Sequence, residues 1–109
     1  MMYNLKNKTA VITGVGGKQS IGGSIALRLA SEGANVVIND LKKNNKELNN
    51  LKKLIEKNYS KCLVIYGDIS KSKVTKELIK KVKIKFKTID ILVNNAAASA
   101  QFDRVPIIN

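Results

Sequence analysis

The sequence predicts an α/β domain built on a buried parallel sheet, and three observations carry that reading. Short apolar segments rich in β-branched residues recur along the chain: Thr9-Ala10-Val11-Ile12-Thr13, Asn35-Val36-Val37-Ile38-Asn39, Leu63-Val64-Ile65-Tyr66 and Ile89-Asp90-Ile91-Leu92-Val93. The segments between them repeat apolar residues at helical spacing, so strands alternate with helices and right-handed crossovers follow. Each strand also runs at its carboxyl end into glycine or polar residues: Gly14, Asp40, Gly67-Asp68 and Asn94-Asn95. Ligands of open α/β sheets bind outside that edge.

The first strand is almost wholly apolar, as a parallel strand buried on both faces requires. It runs into Thr13-Gly14-Val15-Gly16-Gly17-Lys18-Gln19-Ser20-Ile21-Gly22-Gly23, in which the glycines at 14, 16, 17 and 22 allow positive φ and close approach of a ligand to the backbone. Ile21, Ile25 and Leu29, with Ala26 and Ala30 beside them, then form the stripe of a helix that Ser20 can cap. The free N–H groups and positive dipole end of such a helix suit a pyrophosphate. About twenty residues on, the second strand ends at Asp40, where a carboxylate can accept hydrogen bonds from ribose hydroxyls.

A second helix is expected over 43–59, with Leu48, Leu51, Leu54, Ile55 and Tyr59 on one stripe. A third, over 70–87, places Val74, Leu78, Val82 and Phe86 likewise, with Ser70 or Ser72 as its cap. The stripes are read as faces that pack on the sheet.

The run from Thr13-Gly14 to Gly22, the strand-ending Asp40, Asp68-Ile69 and Asp90-Ile91-Leu92-Val93-Asn94-Asn95-Ala96-Ala97 together resemble the amino-terminal half of a short-chain dehydrogenase/reductase. The resemblance implies an incomplete Rossmann-like, doubly wound parallel sheet of about four strands in the order 3-2-1-4, with three helices. It further implies that Gly14, Ser20, Ile21 and Gly22 wrap the pyrophosphate of a nicotinamide dinucleotide and that Asp40 holds the adenosine ribose. Asp68 and the backbone of Ile69 would meet the adenine, and Asn95 and Ala96 would lie along the nicotinamide ribose. Asp40 would repel a phosphate on the ribose it binds, so NAD is expected, with NADP as the alternative because Lys42 and Lys43 follow closely. The long loop with Ser20 before Ile21 is similar to the enoyl-acyl-carrier-protein reductase branch, whereas Asn94-Asn95-Ala96 is similar to the carbonyl/alcohol members; the branch stays open.

The family's catalytic serine and its Tyr-x-x-x-Lys pair lie beyond the segment that follows the fourth strand, and the given chain ends at Asn109. Four residues after Tyr3, Tyr59 and Tyr66 stand Asn7, Leu63 and Ser70, so no tyrosine has the required lysine. Tyr66 and Lys73 have the wider spacing of the enoyl-reductase branch but straddle a strand end and a helix start, which reads as chance. The expectation is therefore a single domain, residues 1–109, truncated at the carboxyl end. It holds cofactor, carries no catalytic residue and is inactive alone. In the intact protein, hydride would pass between the nicotinamide and a small carbonyl or alcohol substrate. A non-catalytic nucleotide-binding or interaction module is the alternative of another class, and a Tyr-x-x-x-Lys encoded soon after Asn109 would favour the enzyme.

A formal charge of +12 invites a nucleic-acid reading, since cationic surfaces neutralise phosphates of any sequence. Against it stand eighteen lysines to two arginines, together with twelve asparagines and thirteen isoleucines, a bias expected of an AT-rich gene. Aromatic residues make up only 5%, too few for stacking on bases. Fifteen of the basic residues lie within 42–87, at solvent positions between the apolar stripes. No nucleic-acid partner is expected. The lone Cys62 has no internal disulfide partner and reads as a buried, inert thiol, and without histidine a zinc site has no support. No apolar run has membrane-spanning length and no secretory signal stands at Met1, so the expected location is the cytoplasm, with no membrane partner. The fourth strand is expected at an open sheet edge, with Ile91 and Val93 losing part of their cover and the chain self-associating there.

Overall fold

The computed structural model describes residues 4–16 and 20–95. β1 (Thr9–Thr13) leads to α1 (Ile21–Ser31) and β2 (Asn35–Asp40). A 3₁₀ turn (Lys42–Asn44) then precedes α2 (Asn45–Asn58), β3 (Cys62–Tyr66), α3 (Ser72–Phe86) and β4 (Ile91–Asn94). All strand pairs are parallel and the order is β3-β2-β1-β4, an incomplete Rossmann fold as the resemblance implied.

Alternation along the strands divides the core into two layers. Ala10, Ile12, Val36 and Ile38 pack with Ala26 and Ala30 of α1 and with Leu48, Leu51 and Ile55 of α2. Val11, Val37 and Ile65 pack on the other face with Leu78 and Val82 of α3. Each of the large side chains buried in this way contributes about 1.5–3 kcal/mol. With both faces covered, all five residues of β1 are buried, which is why that strand reads as continuously apolar.

The structure moves four expected features. α2 begins as the 3₁₀ turn and ends at Asn58; Tyr59 has left helical geometry (φ −135°) and is 51% exposed, so it falls off the stripe. α3 starts at Ser72 with Lys71 in the capping position, and neither Ser70 nor Ser72 caps it, because Ser70 turns back to Asp68. β4 starts at Ile91, since Asp90 closes the sheet's amino end by exchanging hydrogen bonds with Thr9. Thin cover at the edge falls mainly on Leu92, which faces the α3 side and is 55% exposed, while Ile91 and Val93 are half-buried against the α1–α2 layer. Cys62 is buried at the head of β3, and that burial pushes its thiol up to about 12.

Candidate functional site

The glycine loop is built by an alternation of freedom and anchoring. Gly14 (φ +65°) and Gly16 (φ +79°) take left-handed conformations, which a side chain would disfavour. Val15 between them is fully buried and its N–H donates to the Asn39 carbonyl at 3.0 Å, tying the loop to β2. Ser20 caps α1 as expected: its Oγ accepts from the Gly23 N–H at 2.9 Å and donates to the Val15 carbonyl. Loop and helix start are thus one unit.

Gly22 has no room for a side chain. A Cβ there would lie 2.9 Å from Asn95 Nδ2 and 2.9 Å from Val15 Cα. Asn95 uses that space to donate from Nδ2 to the Gly14 carbonyl at 2.9 Å, so the end of the fourth strand staples the first turn of the loop. Thr13 Oγ1 donates to Asn94 Oδ1 at 3.2 Å and fastens the same two strand ends. Ile21, the first residue of α1, is 74% exposed at this edge. Ala96 lies outside the described residues.

The acidic positions flank the loop. Asp40 is half-buried; its Oδ1 accepts from the Leu41 N–H at 2.7 Å, and its Oδ2 lies 3.9 Å from where a Cβ on Gly16 would stand. Asp68 is exposed, and its Oδ1 accepts from Ser70 Oγ at 2.6 Å and from the Ser70 N–H at 2.9 Å. Those two bonds, the hydroxyl's first, hold its carboxyl below the usual carboxylate range. Asp68 and the half-buried Ile69 line a groove of about 400 Å³ that continues past Leu92 to Thr13 and Asn94. Gly14, Gly22 and Asn95 are therefore in mutual contact, Asp40 faces Gly16, and Asp68 with Ile69 stands across the groove from β4.

Two positioning groups escaped the sequence reading. Buried Asn39 donates from Nδ2 to the carbonyls of Ile65 (3.0 Å) and Gly67 (3.2 Å), locking the ends of β2 and β3 together. Its signal was an amide at the end of an otherwise apolar strand. Gly67 (φ +138°) turns directly beneath α3, where a Cβ would meet Val74 Cγ1 at 2.9 Å. Tyr66 does not pair with Lys73. Its hydroxyl donates to Asn49 Oδ1 on α2, and α3 packs on the opposite face of the sheet.

The same architecture recurs in known proteins. The family model for short chain dehydrogenases matches residues 8–106. The chain belongs to that family. As a short-chain dehydrogenase it is 41% identical over 93 residues to YhxC, an uncharacterized oxidoreductase of Bacillus subtilis, covering 85% of this chain and 32% of that protein. The crystal structure of L-sorbose reductase from Gluconobacter frateurii, complexed with NADPH and L-sorbose, superimposes with a TM-score of 0.81 at 27% identity. That match covers 94% of this chain and 38% of the reductase. A 3-oxoacyl-(acyl-carrier-protein) reductase from Agrobacterium tumefaciens with NADP bound superimposes with a TM-score of 0.72 at 29% identity, covering 87% of this chain and 35% of that one. The chain spans about a third of the length of the curated relatives it matches. Among the described residues no helix is long and apolar enough to cross a membrane, and no cluster of potential metal ligands occurs.

Proposed function

We propose that this chain holds a nicotinamide dinucleotide across the carboxyl ends of its strands, as the cofactor-binding part of an oxidoreductase acting on a carbonyl or alcohol carbon. The observation that carries the reading is the cradle at that edge: Gly14 and Gly16 at positive φ, α1 capped by Ser20, and Asp40 aimed at Gly16. These residues fit the group. Backbone N–H groups at the start of α1 suit the pyrophosphate, and Ile21 and Gly22 lie in that first turn. Asp40 would accept from the adenosine ribose, Asp68 and Ile69 would meet the adenine, and Asn95 and Ala96 would serve the nicotinamide ribose. When bound, the cofactor would supply a hydride; this chain's residues would bind and orient it, and none of its tyrosines has a lysine four residues on to serve proton transfer. The chain alone turns nothing over.

NAD is the preferred form in this reading, because Asp40 Oδ2 faces the loop and would repel a ribose phosphate. NADP is the second reading, favoured by the NADPH and NADP in the two superimposed reductases. The small-molecule substrate belongs to the intact protein, and the location is taken to be the cytoplasm. The outer edge of β4 pairs with no strand among the described residues, and self-association through it is expected; sedimentation as a pure monomer would contradict that. Calorimetric titration of the 109-residue chain with NAD, NADH and NADP tests the reading. Saturable binding at one site is expected, abolished in Gly14→Val and unchanged in Lys80→Ala. Equal affinities in wild type and Gly14→Val would sink it.

A further inference from the structure

Three charges cluster where β2 ends, Asp40 as its last residue and Lys42 and Lys43 just after Leu41, and their spacing alone does not say which sign a ribose would meet. The structure shows what Lys42 engages. Asp40 is paired in register with Tyr66 of β3, and Lys42 Nζ sits over the Tyr66 ring, 4.9 Å from its centroid. The ring is half-buried against the α2 layer, and its hydroxyl donates to Asn49 Oδ1 at 3.2 Å, so the platform under the cation is fixed. Lys42 forms no ion pair with Asp40; the ion pairs among the described residues are Arg28–Glu32 and Lys52–Glu56. Lys42 is thus engaged by the Tyr66 ring and makes no ion pair with Asp40, whose Oδ2 faces Gly16.

We propose that Tyr66 is a specificity-determining residue for the cofactor's adenosine ribose, holding Lys42 on its ring and away from a 2′-phosphate, so that Asp40 selects the unphosphorylated ribose. The inference rests on the dinucleotide reading above. A cation within about 6 Å of an aromatic ring at an exposed site is held by an attraction equivalent to about two- to fivefold in affinity. Removing the ring releases Lys42 toward the anion by that factor. Lys43 is exposed and common to every variant compared, so its contribution cancels.

The test is the ratio of NAD to NADP dissociation constants, measured by calorimetry on the 109-residue chain and its variants. Tyr66→Leu is expected to improve NADP relative to NAD by about two- to fivefold. Tyr66→Phe keeps the ring, loses only the bond to Asn49 and keeps the wild-type ratio. Lys42→Gln leaves the ratio within about twofold of wild type, and in the double variant it removes the gain of Tyr66→Leu. An unchanged ratio in Tyr66→Leu would overturn the proposal. So would a Lys42→Gln variant that loses NADP affinity alone by about tenfold, since Lys42 would then already serve the phosphate; this arm stands whether or not Tyr66→Leu folds. If wild type binds neither dinucleotide, the underlying reading falls and this inference falls with it, whereas binding with an unchanged ratio overturns the inference alone.

Discussion

The two ends of the sheet are both polar, and they differ in what their polar groups face. At the amino end, the Thr9 N–H and Thr88 Oγ1 both donate to Asp90 Oδ2, Ser60 Oγ donates to the Ala34 carbonyl, and Arg28 pairs with Glu32. These groups close the chain on itself. At the carboxyl end, Asp40 Oδ1 accepts from the Leu41 N–H while its Oδ2 faces Gly16, and Asp68 Oδ1 accepts from the hydroxyl and N–H of Ser70. A hollow of about 620 Å³ lined by Lys6, Glu32, Tyr59 and Lys61 lies at the amino end. What marks the carboxyl end is the cradle of Gly14 and Gly16 at positive φ before the Ser20-capped start of α1, with Asp40 facing Gly16.

Five substitutions sharpen or break this contrast. Ile55→Ala, in the core between the two ends, should cost about 2–5 kcal/mol in urea unfolding and leave affinity per folded molecule unchanged. A lowered affinity would mean that the carboxyl edge is not independently preorganised. A matched pair of glycines comes next. Gly16→Ala and Gly33→Ala, at φ +79° and φ +103°, should each lose about 1–2 kcal/mol of stability, Gly33 more because its Cβ would lie 3.2 Å from Lys6 N. Only Gly16→Ala should weaken dinucleotide binding, by about tenfold or more, since its methyl group stands between Ser20 and Asp40. Equal losses of affinity would erase the difference between the ends. Asp40→Ala should move the NAD to NADP ratio toward NADP by about tenfold without changing the unfolding free energy by more than about 1 kcal/mol.

The smallest effect is expected at Asp90. Hydrogen bonds from the Thr9 N–H first, and then from Thr88, hold its carboxyl below the ordinary value. A folded pKa below the unfolded one means that its stabilisation is present above about pH 4 and is lost as the pH falls through the folded value. Asp90→Asn should therefore be less stable than wild type at pH 7, and the gap should shrink on acidification below about pH 4, with cofactor affinity unchanged throughout. A gap constant from pH 7 to pH 3, seen in urea midpoints, would show that the charge contributes nothing.

Strand positions were legible because burial on both faces demands unbroken apolar runs, and β1 shows this in all five residues; their order came from the family resemblance alone. The loop was legible because positive φ demands glycine, as at Gly14 and Gly16, and the Ser20 cap because an oxygen must meet the first N–H groups of α1. Helix starts were less so: Lys71 occupies the cap position of α3 because Asp68 captures Ser70, a competition between two local hydrogen bonds that spacing does not rank. The staple from Asn95 to Gly14 and the lock from Asn39 to Gly67 join residues far apart in the chain, and only the register of β4 against β1 and of β3 against β2 brings them together. The diversion of Lys42 to Tyr66 was illegible for the same reason.

The contrast between the ends is tested most directly by titrating NAD into the ¹⁵N-labelled 109-residue chain and following backbone amide shifts. The expected result is saturable movement of Gly14, Ser20, Gly22, Asp40, Asp68 and Asn95, all at the carboxyl ends of the strands, with Leu5, Gly33 and Cys62 at the amino end unmoved. No movement at millimolar NAD, or movement centred on the amino end, would contradict it.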